Sequence, residues 1–135
     1  MKTFMLLKGV HHVAVICSQY KVSKDFYVNK LGFTIINELY REERQSYKLD
    51  LDAGGGVQLE LFSFPQPPKR PSFPEAAGLR HLAFAVNDIE EVVNNLKHKG
   101  IECEEIRIDL NTNQRFTFFQ DPDGLPLELY ETQRF

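Results

Sequence analysis

The sequence predicts an α+β fold built from two tandem βαβββ modules. One observation behind this prediction is a Leu-Glu-Leu strand that occurs twice, at Leu59–Leu61 and at Leu127–Leu129, each time after a turn that contains glycine. The other is a constant spacing between matching positions. Equivalent residues lie 68 or 69 positions apart in three pairs: His12 and His81, Leu31-Gly32 and Lys99-Gly100, and Glu60 and Glu128. A repeat of this length that keeps its register indicates a duplicated structural unit.

The composition fits one globular domain, which we assign to residues 1–135. The chain has 42% hydrophobic and 26% charged residues, in the usual range for folded domains. Its net charge of −3 argues against nucleic-acid binding, because no basic stripe is available to neutralise phosphates. No apolar run approaches the ~18 residues that a membrane helix needs. Cys17 and Cys103 have no framework spacing, so we expect free thiols and a cytoplasmic protein.

Module 1, at 9–62, is predicted to open with an apolar strand from Val10 to Cys17. Ser23 is the predicted N-cap of a helix that runs to Leu31 and ends at Gly32. Three further strands are predicted at Phe33–Tyr40, Tyr47–Asp52 and Val57–Phe62. The charged run Arg41-Glu42-Glu43-Arg44 is interpreted as a solvated hairpin tip.

Residues 63–78 separate the two modules. They hold five of the seven prolines in the chain. Proline is excluded from helix interiors and from central strands, because it lacks the backbone N–H and its φ is fixed. We interpret this segment as a semi-rigid linker.

Module 2, at 79–132, repeats the order of module 1, beginning with a predicted strand at Leu79–Val86. Asp88 and Glu91 have the spacing of a capping box, and the helix that they start is predicted to end at Gly100. Three strands are predicted after it, at Ile101–Ile108, Arg115–Gln120 and Pro126–Tyr130. The turn Asp121-Pro122-Asp123-Gly124 joins the last two of them.

Four polar residues occupy equivalent positions on the first and last strands of the modules: His12, Glu60, His81 and Glu128. They converge if a pseudo-two-fold axis relates the modules. Two imidazoles and two carboxylates make a mixed nitrogen and oxygen site for a divalent ion such as zinc, nickel, cobalt or manganese. Ala14 and Ala83 follow the histidines on the same strand faces, and their small side chains leave room for a small-molecule substrate.

Each of these residues alone has a simpler interpretation. A single histidine in a strand commonly packs in the core or at its rim. A glutamate between leucines commonly lies on the solvated face of an alternating strand. The symmetric recurrence of both residue types favours the metal site. His11, which lies off the ligand face, is interpreted as a packing residue or a support for a ligand, and His98 as a solvated residue of the second helix.

Motifs from nearly the whole chain outside the linker carry a family resemblance. They are His11-His12-Val13-Ala14-Val15, Phe26-Tyr27, Leu31-Gly32-Phe33, Leu59-Glu60-Leu61, Arg80-His81-Leu82-Ala83-Phe84, Asp121-Pro122-Asp123-Gly124 and Leu127-Glu128-Leu129. In these motifs the chain resembles the vicinal oxygen chelate superfamily, and within it the glyoxalase I (lactoylglutathione lyase) branch. The loop at 62–68 differs from the segment that contacts glutathione in that branch.

The resemblance implies the glyoxalase/bleomycin resistance/dioxygenase fold, with a sheet from each module curled around a metal cleft, commonly in a homodimer. It implies zinc or nickel as the metal, held by His12, Glu60, His81 and Glu128. Whether one chain or two build each cleft stays open at this point.

The implied activity is that of a metal-dependent lyase or isomerase acting on a hemithioacetal or a related α-hydroxycarbonyl compound. The metal would act as a Lewis acid that stabilises an enediolate, and a glutamate would move a proton between neighbouring carbons. By symmetry Glu60 and Glu128 are both candidates for this base. We favour Glu128, because Glu60 borders the divergent loop.

Two other functions remain as alternatives. One is a non-catalytic protein that binds a small molecule such as a drug, as some relatives of this fold do. The other is a thiol transferase or a ring-cleaving dioxygenase of the same superfamily. A fourth ligand at Glu60 argues against an iron dioxygenase, which needs open positions on a three-ligand face.

Overall fold

Two four-stranded sheets, one from each predicted module, form the framework of the computed structural model. The structure describes residues 4–133, so the outermost ends of the predicted domain lie outside the described residues. The strands are β1 (His12–Cys17), β2 (Thr34–Arg41), β3 (Ser46–Asp52), β4 (Gln58–Ser63), β5 (Leu82–Val86), β6 (Arg107–Asp109), β7 (Gln114–Gln120) and β8 (Pro126–Glu131). The helices are α1 (Tyr20–Asp25), which continues as a π-helical turn (Phe26–Lys30), and α2 (Ile89–His98). A 3₁₀ turn (Glu42–Arg44) links β2 to β3.

The two sheets have the same topology. Their strand orders are β1-β4-β3-β2 and β5-β8-β7-β6. In each sheet the first strand pairs in parallel with the last, and the other pairs are antiparallel. This repeat confirms the predicted α+β fold of two βαβββ modules. Both β1 and β5 are edge strands, and among residues 4–133 no strand of one sheet pairs with a strand of the other.

The first helix begins four residues before its predicted start. The backbone N–H of Ser23 donates to the Gln19 carbonyl at 3.1 Å, so Ser23 lies buried inside the first turns and is not the N-cap. The helix then widens, and the Leu31 N–H donates to the Phe26 carbonyl five residues back at 2.9 Å. Gly32, with a φ of 82°, ends the segment as predicted.

The second helix agrees more closely with the sequence prediction. The Asp88 carboxylate accepts a hydrogen bond from the Glu91 N–H at 3.3 Å, which is the capping contact that the spacing predicted. Gly100 follows the helix with a φ of 83°. After it, only the end of the predicted strand Ile101–Ile108 is a strand, namely β6. The Thr117 hydroxyl donates to the Glu104 carbonyl at 2.7 Å and so takes an acceptor that a longer strand would use in its ladder.

One hydrophobic core joins the two modules. It combines apolar residues from the helix-covered sides of both sheets with residues of the helices: Val15, Leu49, Leu59, Leu61, Phe26, Ile89, Phe119, Leu127 and Leu129. The first helical segment lies against module 2, with the Phe26 and Phe119 rings 6.3 Å apart. The Tyr27 hydroxyl donates to the Asp121 carboxylate at 2.8 Å. The opposite side of each sheet therefore faces away from the shared core.

Both cysteines are free thiols, as predicted. Cys17 is buried in β1, and burial raises the pKa of its thiol to about 11, so it stays protonated and unreactive at neutral pH. Cys103 lies in the irregular segment before β6, outside the strand predicted for it. In the described part of the chain, no helix is both long and apolar enough to cross a membrane.

Candidate metal centre

His12 and Glu60 form the first of two matching pairs. The parallel register of β1 and β4 sets Ala14 opposite Glu60, so His12, two residues earlier, projects from the same face as the glutamate. The His12 Nδ1 lies 3.5 Å from the Glu60 Oε2. Glu60 is only 8% exposed. A carboxylate so nearly buried requires a charged or hydrogen-bonding partner.

His81 and Glu128 form the second pair. In module 2 the register sets Ala83 opposite Glu128, and His81 directly precedes β5. The His81 Nε2 lies 3.2 Å from the Glu128 Oε1. Burial raises the pKa of the Glu128 carboxyl group, and the neighbouring His81 partly offsets this effect. The two modules thus present the same pair of groups from the same strand positions.

The geometry of each pair fits two ligands of a single ion. Two donor atoms that each lie about 2.1 Å from one zinc ion, at octahedral or tetrahedral angles, are about 3.0–3.4 Å apart. The observed separations of 3.2 and 3.5 Å are close to that range. Imidazole and carboxylate donors also suit zinc, nickel, cobalt and manganese. Each module therefore carries one His–Glu pair whose donor atoms are spaced as two ligands of one ion would be.

The two His–Glu pairs do not come together in the described part of the chain. Among residues 4–133, no three histidine, cysteine, aspartate or glutamate side chains lie close enough to hold an ion. The cause lies in the packing of the sheets. Val15, Leu59 and Leu129 point into the core that both modules share, so Ala14, Glu60 and Glu128, which alternate with them, point away from it.

Sequence reasoning missed two charged neighbours of Glu60. Asp50 lies opposite Glu60 in the register of β3 and β4. The Lys48 Nζ lies 2.6 Å from the Asp50 Oδ1 and 3.7 Å from the Glu60 Oε1. The alternation of polar and apolar residues along β3 is a sequence signal that Lys48 and Asp50 lie on one face. The strand register that brings them to Glu60 was not available from the sequence.

The surroundings of Glu128 differ, because a phenyl ring takes the register position that Asp50 has beside Glu60. Phe118 lies opposite Glu128 in the register, and its ring meets the His81 ring edge-on at 5.1 Å between centroids. The Arg107 guanidinium lies over Phe116 and Phe118, with ring centroids 5.0 and 5.9 Å away. The residue opposite the glutamate is therefore an aspartate in module 1 and a phenylalanine in module 2.

A groove of about 550 Å³ leads to His81 between β7 and the proline-rich linker. The Arg70 guanidinium holds the linker in place by donating to the Leu79 carbonyl at 2.8 Å and to the Arg80 carbonyl at 3.0 Å. Phe118 and Arg107 line the opposite wall. Access for a small molecule is thus available beside the second pair.

The other two histidines have the secondary roles that the sequence suggested. The His11 Nδ1 lies 3.0 Å from the His12 Nδ1, so His11 contacts the first pair without facing Glu60. His98 is exposed on α2 and bonds the Asn94 carbonyl at 2.8 Å.

Comparisons with known proteins agree with this architecture. The model of the Glyoxalase/Bleomycin resistance protein/Dioxygenase superfamily matches residues 9–129. The Bacillus subtilis protein YwkD is 64% identical over 127 residues, which cover 94% of this chain and 99% of that protein. The Escherichia coli protein YaeR is 60% identical and covers 93% and 97% of the two chains. The crystal structure of a glyoxalase family protein from Enterococcus faecalis superposes with a TM-score of 0.88 at 54% identity, covering 94% of this chain and 100% of that one.

Proposed function

Because the chain belongs to the Glyoxalase/Bleomycin resistance protein/Dioxygenase superfamily, we propose that it is a divalent-metal-dependent lyase or isomerase similar to glyoxalase I. The observation that carries the proposal is the His–Glu pair that recurs on equivalent strands of both modules with similar donor separations. Superfamily membership alone leaves the activity open, since the family name covers both enzymes and resistance proteins. The substrate class that we propose is a hemithioacetal or a related α-hydroxycarbonyl compound.

Two chains would be needed to complete the site. A homodimer with two-fold symmetry would set module 1 of one chain beside module 2 of the other and produce two identical four-ligand sites. The unpaired edges of β1 and β5 support this arrangement. Val10, Ile16 and Leu79, on or beside those edges, are 64%, 55% and 52% exposed. Burying these apolar side chains against a second copy would stabilise the dimer.

The residues that would hold the ion are His12 and Glu60 of one chain with His81 and Glu128 of the other. Zinc and nickel are the favoured metals, with cobalt and manganese as alternatives. When bound, such an ion polarises two neighbouring substrate oxygens and stabilises the negative charge that develops on them.

The two glutamates have different proposed roles in the reaction. Glu128 is the proposed base, because its burial raises the pKa of its carboxyl group and so favours proton capture. It would take the proton from the carbon next to the carbonyl and return it to the adjacent carbon. Glu60, with Lys48 3.7 Å away, is assigned to metal binding. The aromatic wall of Phe116 and Phe118 would exclude water from the proton transfer.

Metal analysis of the purified protein, combined with turnover of methylglyoxal and glutathione, tests the proposal. We expect about one bound divalent ion per chain and metal-dependent turnover. His81→Ala should lose most of the metal while its circular dichroism spectrum stays unchanged. His98→Ala, which removes an exposed histidine, is the matched control and should keep the metal. Stoichiometric metal in His81→Ala would reject this ligand set. A wild-type protein that lacks metal but binds small molecules tightly would instead be a binding protein.

A further inference from the structure

The open face of module 1 carries a cluster of cations stacked on aromatic rings, here called the cationic wall, made of Arg41, Arg44, Lys48, Phe62 and Phe64. The Arg41 guanidinium lies 5.3 Å from the Phe62 ring centroid, and the Arg44 guanidinium lies 5.4 Å from that of Phe64. The two rings stack nearly parallel, 6.2 Å apart. The Lys48 Nζ lies 5.9 Å from the Phe62 centroid. The charged run predicted as a solvated hairpin tip is thus partly packed against the sheet.

Arg41 lacks a counter-charge at this place. In the described part of the chain, neither Arg41 nor Arg44 makes an ion pair with a carboxylate. The Arg41 Nε is buried and has no hydrogen-bond partner. A guanidinium in that position has lost part of its hydration without gaining an acceptor, which is unfavourable unless something else supplies one.

An arginine of module 2 that also stacks on phenylalanine is already paired. Arg107 also lies over two phenylalanine rings, yet its guanidinium contacts the Glu104 carboxylate at 3.0 Å. Stacking on phenylalanine therefore does not by itself explain an unpaired arginine. What distinguishes the cationic wall is the missing anion.

The cationic wall lies beside the candidate metal ligands. Phe62 follows Glu60 by two residues on β4 and projects from the same face, so its position is about 7 Å further along the strand. The Lys48 ammonium group lies near both Glu60 and Phe62, and it pairs closely with Asp50. A molecule whose two ends are a few bonds apart could thus contact the site at Glu60 with one end and Arg41 with the other.

We propose that the cationic wall binds an oxyanion, a carboxylate or a phosphate, carried by the substrate several bonds away from its two metal-directed oxygens. Arg41 provides a planar fork of donors that matches either group, including the Nε that now lacks an acceptor. Arg44 and Lys48 add positive charge on the same side. This inference rests on the proposed function and narrows its substrates to anionic compounds.

The probes for the test are two hydroxamates of equal length, which mimic the two neighbouring oxygens of a substrate. N-hydroxysuccinamic acid carries a carboxylate at its far end, and N-hydroxybutanediamide carries a neutral amide there. Calorimetric titration of the zinc-loaded protein should give a dissociation constant about tenfold or more lower for the carboxylate probe, as expected for a charge-assisted hydrogen bond. A third probe with a phosphonate end shows which oxyanion is preferred.

Arg41→Gln should bring the ratio of the two dissociation constants close to one without changing the affinity for the amide probe. Arg115→Gln is the control, since it removes an arginine that is already paired with Glu131 and Glu90 and lies outside the proposed site, and it should keep the ratio. If Arg41→Gln melts at a much lower temperature, Arg41→Lys replaces it, with an intermediate ratio expected.

Three results would overturn the inference. They are wild-type dissociation constants that are equal for the neutral probe and both charged probes, a preference for the charged probe that survives in Arg41→Gln, or a preference that only Arg115→Gln abolishes. Tight binding of both hydroxamates without discrimination would reject the oxyanion subsite and leave the metal site intact. If neither hydroxamate binds in a metal-dependent way, the proposed function fails and the subsite fails with it.

Discussion

Glu60 and Glu128 occupy matching strand positions, yet their neighbours give them different chemical roles. Glu60 faces Lys48 and Asp50, whereas Glu128 faces Phe118. Burial raises the pKa of the Glu128 carboxyl group, which favours its capture of a proton. We therefore expect Glu128→Gln to keep appreciable metal and to lose turnover by at least ~10²-fold, the lower range for removal of a general base.

Glu60→Gln is the matched control for that substitution. It should weaken metal binding, and added metal should partly restore its turnover. Both variants are to be assayed at saturating metal, so that occupancy and chemistry are separated. If Glu60→Gln is inactive at saturating metal while Glu128→Gln only binds metal poorly, the two roles are reversed. Normal turnover in both variants would exclude proton transfer by either glutamate.

At the scale of single residues, the sequence identified the two His–Glu pairs but not their surroundings. The pairs were predictable because a 68-residue repeat marks equivalent positions in any fold that keeps the register. Lys48, Asp50 and Phe118 were not, since their nearness to the glutamates depends on which residues of β3 and β7 lie opposite them. The unpaired state of Arg41 was equally hidden, because a charged hairpin looks solvated until its packing is known.

The turn before β8 is the element that connects the two modules most directly. The Asp121 carboxylate accepts hydrogen bonds from the Tyr27 hydroxyl at 2.8 Å and from the Asp123 and Leu125 N–H groups at 2.9 Å each. Removing the carboxylate leaves these donors buried without an acceptor. We expect Asp121→Ala to lower the free energy of unfolding by about 2–4 kcal/mol, as losses of buried hydrogen-bond networks do.

Asp88→Ala removes the same side chain from the exposed N-cap of α2, where only the Glu91 N–H loses its partner. Its expected cost is about 1 kcal/mol. Urea unfolding of both variants at one protein concentration gives the comparison. Equal losses would show that the Asp121 contacts contribute no more to stability than an ordinary helix cap.

Among the elements, those with local signals were predicted best. The Asp88 cap predicted the start of α2, and the glycines at 32 and 100 predicted where the helical segments end, because capping depends on a few neighbouring residues. The start of α1 was missed, since Ser23 offered a plausible cap and nothing nearby marked Gln19. Before β6, the Glu104 carbonyl accepts from the Thr117 hydroxyl of another strand, a contact between distant segments that local sequence does not reveal.

At the scale of the whole molecule, the arrangement of the two sheets predicts an assembly. Their helix-covered sides share a core, so the faces that carry the two His–Glu pairs point away from it, and the pairs do not come together among residues 4–133 of one chain. A two-fold dimer would bring them together, with His12 and Glu60 of one chain beside His81 and Glu128 of the other. Light scattering at micromolar concentration should accordingly give the mass of two chains, and a stable monomer would contradict this arrangement.

Mixing two inactive variants tests whether the sites are shared between chains. In a dimer of His12→Ala with His81→Ala, one site loses both histidines, and the other keeps all four ligands. If the chains assort at random after unfolding and refolding together, half of the dimers are mixed and each has one intact site. We therefore expect about a quarter of the wild-type turnover and metal content from the equimolar mixture. Each variant refolded alone is the control and should stay near zero, since all of its sites lack a ligand. A mixture as inactive as its components, with mixed dimers verified by mass spectrometry, would place each site within a single chain.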